Sequence, residues 1–465
     1  MVGITRIGTY FPRRRLDRTL LAKAWGGRSG PGARTVAAVD EDALTLAVDA
    51  VHACLADADP AGFDALYFAS TSAPYLEKQV ASMIATAADL PRASAVADFG
   101  GSLRAGLTAL RAALDGVGAG SLRHALVAAA DVRLAEPGSE LEAQFGDAGV
   151  AVAVGRDGVI AELVSVASVA EEFTHFWRTD DQKYVQVADA RFGNQYGLGR
   201  DIPEAVGAAL RKAELPAGKL AKLVVAASDA RSAADIAKRI GCDPAKQLEA
   251  SLAAEAGSLG TAEPLVLLAK ALETASPGDF IAVAAFGEGA DALVFRVTDA
   301  ITSARPRPVA DALAGGVPVA SYERYLRSRN ILPSEVGGEA VATYIEWKEL
   351  KQDVRLYGSR CEACGLVQYP MALVCQGCHA RERMVDHKLA RTGTVFTFTI
   401  DNLAQVPEHP MPMVVVDLDG GGRVYLQGID CVDGDIAVDK RVRLTFRRLH
   451  EAGGNRNYFW KVRPA

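Results

Sequence analysis

Imidazole and thiol groups are scarce in this chain. Its 465 residues include seven histidines and seven cysteines; no histidine lies between His175 and His379, and Cys242 is the only cysteine between Cys54 and Cys361. Catalysis by a cysteine–histidine pair has little to draw on over most of that length. Long apolar runs are also missing: none approaches the roughly 18 residues of a membrane-spanning helix. The N-terminus M-V-G-I-T-R-I-G-T-Y lacks the basic-then-apolar order of a secretory signal, so a cytoplasmic protein is expected. Positive charge is not in excess. A net charge of -6 argues against a general nucleic-acid or membrane-surface role. Nor do the cysteines make a disulfide framework, since four stand in paired short spacings and three are scattered, as in a reducing compartment with one metal site.

What remains is an ordinary globular composition, 49% hydrophobic and 23% charged, in a chain long enough for two or three domains. Ile4–Ile7 and Ala65–Ser70 read as strands, Asp40 as the cap of a helix carrying Leu44, Val48, Val51 and Leu55, and about Glu77 to Ala88 as another helix. Strand and helix alternate to about residue 297, which predicts a layered α/β domain. Asp98–Leu110 (D-F-G-G-S-L-R-A-G-L-T-A-L) is a glycine-rich elbow opening onto an amphipathic helix, with Ser102, Leu103 and Arg104 at its apex. The order glycine, helix, buried strand, second strand occurs after Gly106 and again after Gly260, which suggests an internal duplication. Phe173–Gly197 is richer in aromatics and charge than its surroundings and reads as a lid or a solvated loop. Pro306, Pro308 and Pro318 mark the end of this unit.

Cys361-x-x-Cys364 and Cys375-x-x-Cys378, ten residues apart, form the most specific chemical signal. Two such knuckles supply a tetrahedral set of four thiolates suited to zinc, with no open position for water, so the metal is expected to be structural. Spacing alone leaves iron in a rubredoxin-like site as the alternative. His379 and His387 read as surface residues. Five strand-like runs follow, within 392–400, 413–418, 423–429, 441–449 and 458–462, and suggest a small OB-like barrel. Arg441, Arg443, Arg447 and Arg448 are expected on a solvated strand face.

Together these features resemble two known families. S-T-S-A-P-Y (Ser70–Tyr75), R-A-G-L-T-A-L (Arg104–Leu110), G-D-A-G-V-A-V (Gly146–Val152), H-F-W-R (His175–Arg178) and S-P-G-D-F-I-A-V-A-A-F-G-E-G (Ser276–Gly289) resemble the 3-hydroxy-3-methylglutaryl-CoA synthase branch of the thiolase superfamily. The C-terminal part resembles DUF35, a zinc ribbon joined to an OB fold. The resemblance implies a duplicated, thiolase-like α/β/α/β/α domain over 1–300, a linker over 301–345, a zinc ribbon over 346–390 and an OB-fold domain over 391–465. It also implies a coenzyme A thioester as substrate.

The catalytic set of that family does not carry over. Its cysteine falls at Leu103, its glutamate at Thr71, its histidine near Ala226–Ser228 and its asparagine near Ser258. Non-covalent aldol or retro-aldol chemistry on a CoA thioester is then the expected activity, and a non-catalytic partner of an active thiolase-like subunit is the alternative. Glu288, in the turn F-G-E-G-A-D, is the first acid/base candidate. Asp229 is a second and also suits a helix cap; His175, on the lid, is a third. Trp177, Arg178, Gly260 and Gly287 are candidates for contacting the CoA thioester. The resemblance, with apolar strands such as Ala125–Asp131, predicts a homodimer whose sheet continues across a two-fold axis.

Overall fold

Runs of alanine and valine with no polar face become strands covered on both sides. Ala125–Asp131 and Ala148–Gly155 are buried at every residue, and they lie in the middle of one large sheet. The structure, a computed structural model, describes residues 1–27, 30–227, 229–332, 343–404, 411–432, 434–452 and 454–465. It divides into two units. One comprises Met1–Ala37, Asp42–Ala85 and Leu90–Tyr325; the other comprises Leu326–Ala465 with the short stretches Ala38–Glu41 and Thr86–Asp89.

In the first unit the elements that matter are β1 (Gly3–Tyr10), α1 (Ala43–Leu55), β2 (Ala65–Ala69), β3 (Ala95–Phe99), α2 (Ala105–Gly118), β4 (Ala125–Asp131), β5 (Ala148–Gly155) and β6 (Ala161–Ala170). They continue with α3 (Gly199–Lys212), β7 (Leu220–Val225), α4 (Ala230–Ile240), α5 (Glu263–Glu273), β8 (Phe280–Phe286) and β9 (Gly289–Val297). The nine strands run in the order β7-β8-β9-β6-β1-β5-β4-β2-β3. Read outward from the β1–β6 contact, the two halves match. β1–β5 and β6–β9 are antiparallel, as are β5–β4 and β9–β8, whereas β4–β2 and β8–β7 are parallel. Helices complete five layers. α1 covers β1, β4 and β5 on one outer face, α3 covers β6, β8 and β9 on the other and packs against α4, and α2 and α5 meet in the middle. The duplication expected from the glycine–helix–strand order is therefore present in the pairing pattern.

Three local expectations change. Asp42, not Asp40, caps α1: its carboxylate accepts from the Thr45 amide at 3.1 Å and the Asp42 amide donates in return to the Thr45 hydroxyl, a full capping box. The helix expected from Glu77 begins only at Ala81, because Asp98 accepts from the amides of Val80 and Ala81 (2.6 and 2.8 Å) and sets the first turn there. Strand β4 cannot continue a sheet across a two-fold axis, since it is paired on both sides; the strand at that end of the sheet is β3.

Asp131, at the end of β4, ties the two halves together. It is fully buried, and its carboxylate accepts from the hydroxyls of Ser70, Thr71 and Ser72 (3.0, 3.1 and 2.8 Å) and from the amides of Thr71 and Thr261 (both 2.8 Å). Gly260 makes this approach possible: its φ is +61°, and a Cβ there would stand 2.3 Å from Asp131 Oδ2. Asp131→Ala strands these donors inside the protein and is expected to cost about 3 to 5 kcal/mol in urea denaturation, whereas Asp131→Asn, which keeps the shape, should cost less.

The second unit holds α6 (Thr343–Asp353), a three-stranded ribbon of β10 (Tyr357–Cys361), β11 (Val367–Gln368) and β12 (Met384–Lys388), and five further strands. These are β13 (Thr392–Asp401), β14 (Met411–Leu418), β15 (Arg423–Gln427), β16 (Arg441–Ala452) and β17 (Asn455–Pro464), ordered β15-β14-β13-β16-β17. A parallel bridge from Gly428 to Val462 brings the ends of this sheet together, as in a small barrel. The arginine face is not uniformly solvated. Arg441 is exposed and paired with Asp419, but Arg447 is fully buried and its Nη2 donates to Asp430 at 2.8 Å. By alternation Arg447 shares the face of β16 that carries Arg441 and Arg443, but at 445 and 447 that face is covered as well, and an ion pair meets the requirement of a buried charge. Among the described residues no helix is long and apolar enough to cross a membrane.

Candidate functional sites

Two knuckles with the same backbone pattern bring the four cysteines together. In the first, the Gly365 amide donates to Cys361 O (2.8 Å) and the Cys361 amide to Leu366 O (2.9 Å). In the second, His379 donates to Cys375 O and Cys375 to Ala380 O, both at 3.0 Å. Gly365 and His379 occupy equivalent left-handed positions, φ +78° and +61°. His379 is thus held by its backbone while its side chain is exposed. The Cys361 and Cys378 sulfurs are 3.7 Å apart, those of Cys364 and Cys375 are 3.5 Å apart, and all four lie within 4.8 Å of one another. A tetrahedral ion with Zn–S bonds of about 2.3 Å needs sulfur–sulfur edges of about 3.8 Å, so the donor set fits. The amides of Cys378 and Gly377 pull the Cys375 thiol down to about 6, toward the thiolate that a metal takes.

The other site is a cavity of about 60 Å³ in the first unit. Four regions distant in sequence build it: Leu103 at the elbow before α2; His175, Phe176, Asn194 and Leu198 from the lid; Ala226 and Ala227 after β7; and Ser258, Gly260 and Glu263 leading into α5. Phe145, Gln144, Ala285 and Phe286 complete the wall. Of the candidates that sequence suggests, His175 and Gly260 line this space. Glu288 does not: it sits half-buried at the β8–β9 turn with φ +47°, and its carbonyl accepts from Arg104 Nη2 at 3.0 Å. Gly287 packs against the elbow, where a Cβ would stand 2.3 Å from the Ser102 hydroxyl. Asp229 is exposed and caps α4, accepting from the Ser232 amide (2.9 Å) and hydroxyl (2.7 Å). Trp177 and Arg178 are exposed on the lid hairpin, with Arg178 donating to Gln182 O. Ser228 lies outside the described residues.

His175 is held by rings. Phe176 stands edge-on at 4.4 Å and Phe286 at 6.1 Å, and burial lowers the imidazole pKa, which keeps the ring neutral. Its Nδ1 is buried against Gly193 with no partner among the described residues, so Nε2 is the nitrogen left for the cavity. Glu263 is the residue that sequence reasoning missed. It opens α5, where an acid reads simply as a favourable first-turn residue. The informative signal was an acid embedded in the apolar run G-T-A-E-P-L-V-L-L. The side chain is buried: Oε2 accepts from the Ser258 hydroxyl (3.0 Å) and the Leu259 amide (3.1 Å). Burial raises its pKa, against the opposing pull of the Leu259 and Ser258 donors and the Arg133 charge. Arg133 in turn donates to the Ser258 hydroxyl at 3.1 Å while stacking 3.9 Å over Phe145.

Comparison with known proteins bears on both units. Residues 349–383 match the ChsH2 rubredoxin-like zinc ribbon domain and residues 386–447 the ChsH2 C-terminal OB-fold domain. The four-cysteine cluster is accordingly a structural zinc site. A hydroxymethylglutaryl-CoA synthase of Pyrobaculum arsenaticum is 30% identical over 347 residues, covering 71% of this chain and 98% of the relative. The chain belongs to the hydroxymethylglutaryl-CoA synthase family. A second such synthase, from Thermoplasma volcanium, is 28% identical over 312 residues, 65% of this chain and 89% of its own length.

Solved structures agree on the fold. An HMG-CoA synthase complexed with CoA has a TM-score of 0.65 at 18% identity, over 73% of this chain and 95% of its own. A structure in complex with 3-hydroxy-3-methylglutaryl coenzyme A gives 0.61 at 20%, over 73% and 95%. Leucine stands at the tip of the elbow in this chain. Leu103 borders the cavity, whereas the neighbouring Ser102 hydroxyl is buried behind Gly287. Thr71 is spent on Asp131.

Proposed function

We propose that this chain binds an acyl-CoA thioester with the acyl end in the cavity and carries out aldol or retro-aldol carbon–carbon chemistry without an acyl-enzyme. The observation that carries the reading is the lining itself, in which Leu103 stands at the elbow tip and polar groups from the lid and from α5 border the same space. At about 60 Å³ it is far below the ~300–1,000 Å³ of a pocket for a drug-sized ligand, so it suits a short acyl group rather than the nucleotide. The relatives solved with CoA and with 3-hydroxy-3-methylglutaryl coenzyme A supply the ligand class. His175, neutral and with Nε2 toward the cavity, serves as a hydrogen-bond donor to the thioester oxygen as negative charge develops there.

Calorimetric titration with acetoacetyl-CoA should give saturable binding, and intact mass after incubation with acetyl-CoA should show no adduct. A stoichiometric acyl adduct on Ser102 or Cys242 would overturn the non-covalent route. Failure to bind any acyl-CoA, with a partner enzyme's activity depending on this chain, would instead establish the scaffold role.

The homodimer proposed from the sequence transfers to β3, whose Ala95 and Asp98 are exposed at the end of the sheet; pairing with its own copy would continue the sheet. Light scattering should then give twice the 49.0 kDa chain mass, and a monomer would contradict it.

A further inference from the structure

Every acyl-CoA reaction of the aldol type needs a group that takes a proton and gives it back, and the cavity holds one ionisable carboxyl. Among the described residues Glu263 is the only acidic side chain in the lining. Resting on the reading above, we propose that Glu263 is the acid/base residue of the cavity and that its substrates are 3-hydroxyacyl-CoA thioesters. The carboxyl is divided in its duties. Both hydrogen bonds that the carboxyl makes, to the Ser258 hydroxyl and the Leu259 amide, fall on Oε2, which leaves Oε1 for a ligand. The backbone at this point is fixed by the start of α5 and by Pro264, and the hydrogen bonds to Oε2 hold the carboxyl.

The step balances without a co-reactant. Glu263 Oε1 takes the proton of the 3-hydroxyl group; the oxygen's electrons form the carbonyl as the bond between C2 and C3 breaks, and that bond's pair moves onto C2 as the thioester enolate. His175 donates to the enolate oxygen. Glu263 then returns the proton to C2, leaving a shortened acyl-CoA and an aldehyde or ketone. In the opposite direction the same residue performs condensation. The Leu259 amide, the Ser258 hydroxyl and the Arg133 guanidinium favour its anion, and neutral His175 lines the same cavity. Burial works against the anion and is the largest influence, so the carboxyl ionises at a higher pH than an exposed glutamate.

The test uses the full-length protein with 3-hydroxybutyryl-CoA and 3-hydroxy-3-methylglutaryl-CoA, following acyl-CoA products and the pH profile of kcat/KM. The wild type should show activity that rises with pH as Glu263 ionises. Glu263→Gln should lose about 10²- to 10⁴-fold in kcat, lose that rise, and keep acyl-CoA affinity by calorimetry. Ser258→Ala removes a donor that favours the anion, so the rising limb should move to higher pH; this variant serves if Glu263→Gln proves unstable. Acyl-CoA binding with no cleavage or condensation by the wild type overturns the inference and leaves the binding proposal standing, as do Glu263→Gln turnover within a few-fold of wild type or an unmoved limb in Ser258→Ala. Absence of acyl-CoA binding overturns both.

Discussion

Stripping the metal from the full-length protein, or replacing Cys375 with serine, is expected to melt the ribbon of β10, β11 and β12. The ribbon has little else to hold it. Its second strand is two residues long, and between Cys361 and Cys375 the side chains of Cys364, Leu366, Leu373 and Val374 are exposed. Structural zinc in small domains of this kind supplies about 10 to 16 kcal/mol of apparent binding energy near pH 7, more than the whole stability of many domains. Hydrogen exchange read peptide by peptide should show protection lost over residues 357–388 when zinc is removed and regained on its return, with one zinc per chain by elemental analysis. A ribbon that stays protected in metal-free protein would contradict the assignment.

His175→Phe is expected to lower kcat by about 10²- to 10³-fold while changing KM little, the loss typical of removing one preorganised donor from an oxyanion site. The donor role of His175 depends on the neutral state of its ring. An imidazolium would leave a buried N–H at Nδ1 without an acceptor, so the ring is poorly suited to collecting a proton and well suited to donating from Nε2. Gly193 offers a second handle. Its backbone is compatible with alanine, but the added Cβ would stand 2.4 Å from the imidazole, so Gly193→Ala should displace the ring and reduce kcat in the same direction. Steady-state kinetics on a 3-hydroxyacyl-CoA, with circular dichroism to confirm folding, checks both. Wild-type kcat in His175→Phe would mean that the lid only covers the site.

The features legible in the sequence are those produced by neighbours along the chain. The cysteine spacing specified the two knuckles, because each is a turn of a few residues whose geometry is local. Buried strands such as β4 and the amphipathic helix after the elbow followed from runs of apolar residues, and the repeat of glycine, helix and strand pointed to two halves that the strand pairing bears out. Local chemistry also explains the misplaced cap, since Asp40 and Asp42 both precede the same apolar stripe and only the Thr45 hydroxyl distinguishes them.

Tertiary structure alone decided which polar groups share a cavity. Glu288 and Asp229 stand in motifs that look catalytic, but a carboxyl's surroundings depend on strands and loops that arrive from elsewhere. The turn at Glu288 is held through its backbone by Arg104, and Asp229 is used by the first turn of its own helix. Glu263 looks in sequence like an ordinary start to a helix. Only when the lid, the elbow and the two central helices close over it does burial make that carboxyl hard to ionise, while Ser258 and Leu259 fix one of its oxygens. Which strand forms the sheet edge was likewise beyond the sequence, because β4 and β3 are both short apolar runs and only the order of pairing leaves one of them at the end.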